Sequence, residues 1–299
     1  MIKYRALIQA IELGSITKAA KALGYSQPGV SHIIDSLEEK IGFPLLIKSN
    51  NRLQLTNTGK KLFPYFKKIV NAEDDMLSMA KSINGLMEGS IYIGAQNSML
   101  VNLLPKIIAK FSEAYSSIEL NIQEYPFENF AALLESGDID ISFMSESNIK
   151  GFEFHPLFKD SLCLIMNKDH PFTAYDKIPV SSLNGCDFIM PAPGWGDIVS
   201  IVSGKKEFSA NTKYYTTSDT AAIAIVAENQ GVYIMSSLHT SLLPENVVFR
   251  EFEEDISRVM GFAIKSLKNT TPAILEFIRI AQQVVETELK KEGSILRPL

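Results

Sequence analysis

Apolar residues recur every three or four positions in two segments near the N-terminus, and each segment predicts an amphipathic helix. The residues on these apolar faces are Ile2, Leu7, Ile8 and Ile11 in the first segment and Val30, Ile34, Leu37 and Ile41 in the second. Residues 17–23 lie between them and predict a further helix, so the chain begins with three short helices.

The second and third of these helices have the residues of a helix-turn-helix in the segment SITKAAKALGYSQPGVSHIIDSL, residues 15–37. Ala20 allows the two helices to approach closely, Gly24 provides the turn, and Val30 anchors the later helix in the core. Ser26 is placed to cap that helix, with Pro28 in its first turn. This arrangement predicts a DNA-reading helix over the second half of the segment.

Two short extended runs follow, Phe43 to Lys48 and Arg52 to Thr56, with a hairpin-type turn at Asn50 and Asn51. They predict a small wing beside the helices. Glutamine can read adenine, serine bonds to several bases, and histidine can donate to guanine, whereas basic residues anchor phosphates. The predicted DNA contacts are Thr17, Ser26, Gln27, Pro28, Ser31, His32, Ser36, Lys48, Arg52 and Thr56.

A longer helix is predicted over residues 58–89, where one stripe repeats by fours and threes with one polar interruption. Its members are Leu62, Phe66, Ile69, Glu73, Met76, Ala80, Ile83 and Met87. The stripe predicts a dimer in which the same helix of a second copy packs against it. Packing on the chain's own C-terminal domain is the alternative.

From residue 90 onward, strand-like runs alternate with helical ones, which predicts a mostly parallel sheet flanked by helices. The series contains two sets of strands, which predicts two lobes. We expect the first lobe at about 90–160 and 266–299 and the second at about 161–265, with chain crossings near 160 and 265. The predicted fold class is therefore α/β, with an all-α winged helix-turn-helix at residues 1–57, the linker helix at 58–89 and a two-lobed domain at 90–299.

Charge separates the two ends of the chain, although the net charge is only −5. Residues 1–68 hold 11 lysines and arginines against 4 aspartates and glutamates, whereas the rest holds 18 against 30. A basic head on an acidic body is typical of a protein in which one end meets phosphate. No apolar run is long enough to span a membrane and the N-terminus is unlike a signal peptide, so we expect a cytoplasmic protein with no membrane partner.

The segment GSITKAAKALGYSQPGVSHIIDSLEEKIGFPLL, with RLQLTNTGK after it, resembles the N-terminal signature of LysR-type transcriptional regulators. The layout of residues 90–299 resembles the effector domain of that family, which is similar in fold to periplasmic solute-binding proteins. The resemblance implies binding to double-stranded DNA, a homodimer or homotetramer, and contact with RNA polymerase. His32, Asp35 and Ile47-Lys48 depart from the family pattern in the head, as does Met235-Ser236 in the later domain.

The resemblance also implies that a small-molecule effector, often a carboxylate, binds in the cleft between the lobes. Strand ends and helix N-termini there offer free N–H groups, which favours an anionic effector. Ser98 opens a helix after the first strand, a position that suits a ligand contact, a helix cap or both roles together. The predicted effector contacts are Gln96, Asn97, Ser98, Ser145, Ser147, Trp195, Thr217, Ser218 and Met235.

Three other functions are disfavoured by the sequence. An enzyme is disfavoured because the four histidines belong to no nucleophile–base pattern, and no cofactor or metal motif is found. A thiol redox switch would use Cys163 and Cys186, but no cationic neighbours in the sequence activate either one. A solute-binding module would need a secretion signal and no basic head.

Overall fold

A computed structural model of the chain describes residues 1–49, 52–83, 88–146, 151–193, 198–205 and 208–299. The chain divides into two units, residues 1–86 with 135–138, and residues 87–134 with 139–299. Among the described residues, no helix combines the length and the apolar character needed to cross a membrane.

The first unit is a winged helix-turn-helix followed by a long helix. Its elements are α1 (Ile2–Glu12), α2 (Ile16–Leu23), α3 (Gln27–Ile41), β1 (Leu46–Ser49), β2 (Arg52–Leu55) and α4 (Asn57–Ile83). Gly24 ends α2 with a φ of 72°, a left-handed conformation that favours glycine. Strands β1 and β2 pair antiparallel as the predicted wing, whose turn residues Asn50 and Asn51 lie outside the described residues.

Helix α4 contributes to the core of the head, which corrects part of the predicted dimer stripe. Phe66 and Val70 are buried with Leu7, Ala20 and Val30 of the three short helices. Leu62 packs against the same cluster, and the Glu73 carboxylate accepts a hydrogen bond from the Arg5 guanidinium at 3.1 Å. Because a helix buries only one side in its own core, these residues are used inside the head.

The neighbouring stripe of α4 is apolar and exposed. Tyr65 and Met76 are each 61% exposed and Ile69 is 38% exposed, and Ala72 and Ala80 extend the same stripe. Their spacing of three, four and seven residues places them on one side of the helix. The long helix therefore has one face packed in the head and a second apolar face that is exposed to solvent at the described positions.

The second unit is a two-lobed α/β domain. Its elements in chain order are β3 (Gly89–Ala95), α5 (Asn97–Val101), α6 (Leu103–Ala114), β4 (Ile118–Glu124), α7 (Phe130–Ser136), β5 (Ile141–Ser145), β6 (Glu153–Asn167), β7 (Asp187–Pro191), α8 (Ile198–Lys205), β8 (Asn211–Thr216), α9 (Asp219–Ala227), β9 (Tyr233–Ser236), β10 (Val247–Glu251), β11 (Ser257–Ile264), α10 (Pro272–Leu289) and β12 (Leu296–Arg297). Strands alternate with helices along this unit, as the sequence predicts.

Strand β6 runs through both lobes. Its first part pairs antiparallel with β11, which pairs with β5, and β5 and β4 flank β3 in parallel. Its last residues pair with β9 and β10, and β7 and β8 form a separate parallel pair. The sheet is thus mixed, because β11 runs antiparallel both to the parallel set and to β6.

The second crossing lies earlier than predicted. Strand β10 belongs to the second lobe, and β11 already pairs with β5 in the first lobe, so the chain crosses between residues 251 and 257 rather than near 265. The second lobe therefore covers about residues 162–256. Hydrophobic alternation cannot reveal this, since it is the same for a strand in either sheet.

The two crossing strands lie side by side and are further held by the end of α10 and β12. Asp160 of β6 is the register partner of Arg258 on β11 and of Leu296 on β12. Gly261 of β11 is required by this close approach, because a Cβ there would lie 2.2 Å from the carbonyl oxygen of His155. The hinge between the lobes is consequently a three-stranded structure.

Candidate DNA-reading helix and effector cleft

The outer face of α3 presents polar side chains to solvent. Gln27, Pro28 and His32 are exposed and Ser31 is half-buried, while Val30, Ile34 and Leu37 of the same helix are buried in the head. These side chains stand on the N-terminal half of a helix held rigidly by its other face, as groove reading requires.

Three other predicted DNA contacts have hydrogen-bond partners within the head. Ser26 Oγ accepts a hydrogen bond from the Gly29 N–H at 3.2 Å and so caps α3. Thr56 Oγ1 donates to the Pro44 carbonyl oxygen at 2.8 Å and accepts from the Gly59 N–H at 2.9 Å. Ser36 Oγ accepts from Lys3 Nζ at 2.6 Å.

The remaining predicted contacts lie on α2 and the wing. Thr17 is exposed in the first turn of α2. Lys48 and Arg52 belong to the two wing strands, and their side chains are outside the described part of the chain.

A cleft lies in the second unit, where ends of strands and starts of helices converge. The lining residues are Gln96, Asn97, Ser98, Glu124, Tyr125, Phe127, Pro191, Ile198, Thr216, Thr217, Ser218, Asp219, Tyr233, His239 and Arg258.

The floor of the cleft contains a buried ion pair. Arg258 Nε donates to Asp160 Oδ2 at 2.9 Å, and the exposed fractions of the two side chains are 6% and 0%. Arg258 Nη2 donates to Ser98 Oγ at 3.0 Å, and Ser236 Oγ donates to Asp160 Oδ1 at 2.7 Å. Both ions are thus hydrogen-bonded further, the condition under which a buried pair is tolerated.

A chain of hydrogen bonds runs along the cleft wall. Asn97 Nδ2 donates to Glu124 Oε2 at 3.0 Å, and His239 Nε2 lies 2.7 Å from Asn97 Oδ1 and 3.5 Å from Asp219 Oδ2. Tyr233 donates its hydroxyl to Asp219 Oδ1 at 2.7 Å. The chain links β4 and α5 of the first lobe to α9 and β9 of the second.

Burial sets the protonation of two members of this chain. It lowers the pKa of His239 below its usual range, and the opposing effect of Asp219 is smaller. It also raises the pKa of Tyr233, with Asp219 adding to the shift. Near neutral pH, His239 is therefore uncharged and Tyr233 keeps its proton.

The structure brings five of the predicted effector contacts to the cleft: Gln96, Asn97, Ser98, Thr217 and Ser218. These residues lie at or just before the first turns of α5 and α9, which begin at the cleft. Ser218 also caps α9 by accepting a hydrogen bond from the Ala221 N–H at 3.3 Å.

Two predicted contacts lie elsewhere. Met235 is fully buried in the core of the second lobe with Cys163 and Ile165, because the side chains of a strand alternate between faces. Ser145 is buried at the end of β5 and is not among the lining residues; its N–H donates to Gln96 Oε1 at 2.8 Å. Ser147 and Trp195 are outside the described residues.

Sequence reasoning missed four titratable residues of the cleft, Glu124, Asp219, His239 and Arg258. Arg258 carried a signal, because a lone cation in the apolar run SRVMGFAI needs a buried anionic partner or a ligand. Its partner Asp160 is 98 positions away, and no local pattern joins the two.

Neither cysteine has the environment of a redox-active thiol. Cys163 is buried in the second lobe, and burial raises its pKa, with Asp160 and Glu251 adding to the shift. Burial also raises the pKa of Cys186, whose Sγ donates to the Ser182 carbonyl oxygen at 3.1 Å. Both thiols are therefore protonated near neutral pH, which disfavours a switch that needs a thiolate.

Two family models match the chain. The LysR substrate binding domain matches residues 84–286, and the bacterial regulatory helix-turn-helix protein of the lysR family matches residues 2–60. One curated relative, the uncharacterized HTH-type transcriptional regulator YvbU of Bacillus subtilis, is 26% identical over 96% of this chain and 99% of its own.

Solved structures share the fold. A full-length OxyR variant from Pseudomonas aeruginosa has a TM-score of 0.75 at 19% identity, covering 95% of this chain and 93% of its own. Full-length CbnR in complex with its target DNA has a TM-score of 0.72 at 16% identity, covering 95% of this chain and 99% of its own.

We expect Arg258→Met to destabilise the second unit by about 3–5 kcal/mol, because it leaves the Asp160 carboxylate buried without its counter-charge. Urea denaturation followed by circular dichroism measures the loss. Lys213→Met is the matched control, since it breaks a Lys213–Asp187 pair in which both side chains are more than 40% exposed, and we expect its midpoint to stay unchanged. Equal midpoints for the two variants would contradict the assigned role of the buried pair.

Proposed function

Because the chain belongs to the LysR family of transcriptional regulators, we propose that α3 reads specific DNA sites and that a small molecule bound in the cleft controls this binding. The observation that carries the proposal is the division of α3 into a buried apolar face and an exposed polar face with Gln27 and His32 on it. CbnR, a protein of the same fold, is bound to its target DNA in a solved structure. The excess of lysine and arginine in residues 1–68 supports the N-terminal end as the part that binds DNA.

We propose that the chain acts as at least a dimer. The exposed apolar stripe of α4, with Tyr65, Ile69 and Met76, would be covered by the same stripe of a second copy. A helix-turn-helix protein with twofold symmetry reads two half-sites, which matches this assembly. The residues that fill the core of the head lie on the adjacent face, so one helix can serve both contacts.

We propose that the effector acts by changing the arrangement of the lobes. The cleft is lined from both lobes, and its wall is a hydrogen-bonded chain from Glu124 to Tyr233. A ligand there shifts the equilibrium between arrangements only by its different affinity for each. Relatives described as transcriptional regulators support this role over that of an enzyme.

We expect Gln27→Ala and His32→Ala each to weaken binding to a duplex selected from a random library with the unaltered protein. The expected loss is about 5- to 150-fold, since a good base contact contributes roughly 1–3 kcal/mol of discrimination. Fluorescence anisotropy at fixed salt measures this. Binding to unselected DNA should not change, and Glu39→Gln at the other end of α3 should keep the preference. An unchanged ratio of selected to unselected affinity in both variants would refute base reading by these residues.

We expect Ile69→Glu with Met76→Glu to weaken self-association by roughly 100-fold or more, because each buried apolar side chain contributes about 1.5–3 kcal/mol and is used twice in a twofold interface. Sedimentation equilibrium measures the association. Lys60→Glu, an exposed position on the first turn of α4, is the control and should leave it intact. A double variant that sediments as the unaltered protein would rule out this stripe as the interface.

We expect Thr217→Trp to block effector binding by filling the cleft. A thermal-shift screen of small amines, alcohols and carboxylates on the full chain identifies compounds that raise Tm, as ligands of the folded state do. These compounds should also change the affinity for the selected duplex, and Thr217→Trp should lose both effects. Thr220→Trp, exposed on α9 and not among the lining residues, should keep them. A compound that binds in the cleft and leaves DNA affinity unchanged would count against ligand control.

A further inference from the structure

The charges around the cleft disfavour an anion as its ligand. Among the described lining residues, Glu124 at the end of β4 and Asp219 at the start of α9 are carboxylates. The cation of the lining is Arg258, and its charge is balanced by Asp160, which is 0% exposed. His239 adds no positive charge, since burial lowers its pKa. The two wall carboxylates therefore leave the cleft with an excess of negative charge.

The hydrogen-bond directions leave an excess of acceptors as well. Because Asn97 donates through Nδ2 to Glu124, its oxygen faces His239 and accepts the proton of Nε2. The carboxylates of Glu124 and Asp219 accept from Asn97 and Tyr233, and each has further lone pairs that can only accept hydrogen bonds. His239 itself is 3% exposed and lines the cleft. Such a lining calls for a ligand that donates hydrogen bonds.

Aromatic and aliphatic surface lies beside these acceptors. Tyr125 follows Glu124 directly, Phe127 lies two residues further along, and Ile198 lies on the opposite lobe. Aromatic faces attract cations as well as hydrocarbon. The cleft thus offers an acidic wall next to an apolar one.

We propose that the effector carries a protonated amine, whose N–H groups donate to Glu124 and Asp219 while its hydrocarbon part lies against Tyr125 and Phe127. A primary ammonium has three donors and a positive charge, which complements a cleft lined by carboxylates of both lobes. The ligand class differs from the anion expected from the sequence. The inference rests on the proposed function of the cleft as the effector site.

Matched fragment pairs test the charge of the ligand. Each pair shares its hydrocarbon part and differs in the charged group: 2-phenylethylamine against 3-phenylpropionate, and butylamine against pentanoate. Saturation-transfer NMR on the full chain, with Thr217→Trp as the blocked control, measures their dissociation constants in the cleft. We expect the amine of each pair to bind at least about tenfold more tightly than the carboxylate.

Charge-removing variants test the residues. Glu124→Gln and Asp219→Asn keep the shape and an acceptor oxygen, and each should weaken amine binding by at least about fivefold. Glu113→Gln, which removes an exposed carboxylate outside the lining, should not. Amine binding that is insensitive to both cleft variants overturns the proposal.

The remaining outcomes separate the ligand class from the function. Carboxylates that bind in the cleft as tightly as the amines overturn the amine assignment and leave the cleft as an effector site. If none of the four fragments binds in the cleft, the amine assignment is overturned. The support for the cleft as an effector site is then removed as well.

Discussion

The ion pair between Arg258 and Asp160 is the constraint on which the second unit depends. It joins the two strands that cross between the lobes, at the point where the crossings lie side by side. Ser98 of the first lobe bonds to the arginine and Ser236 of the second bonds to the aspartate. A buried pair adds little stability over an apolar pair, but it is costly to break. The pair therefore fixes the position of both cleft walls relative to one hinge.

In the first unit, two helices each have one face in the core and another face exposed to solvent. Helix α3 uses one face for the core and one for solvent, and α4 repeats this with Phe66 inside the head and Met76 exposed. In both helices the buried face sets the position of the exposed one. A change in packing under α3 or α4 would consequently alter DNA contacts or assembly without touching either surface.

The sequence predicts what is local and misses what depends on distant partners. The helix-turn-helix can be predicted because Ala20, Gly24 and Val30 lie close together in one short segment. The strands can be predicted because the alternation of apolar and polar residues is also a local pattern. The sequence predicts that the whole stripe of α4 faces a dimer partner, although Phe66 packs in the head, because periodicity identifies an apolar face and not its partner. It also predicts Met235 in the cleft, because the pattern locates the end of a strand but not the side of the sheet to which each side chain there points. Arg258 and Asp160 were missed because their contact exists only after folding.

The late return of the chain to the first lobe has a consequence for synthesis. The head and the second lobe are each continuous in sequence, at residues 1–83 and about 162–256. The first lobe needs β3 to β5 together with β11, α10 and β12, which are made some 110 residues later. During translation the first lobe stays incomplete while the second lobe is synthesised and folds. The apolar faces of β3 and β5 remain uncovered during this time. This makes the early half of the first lobe the segment in which a chaperone would find exposed apolar surface.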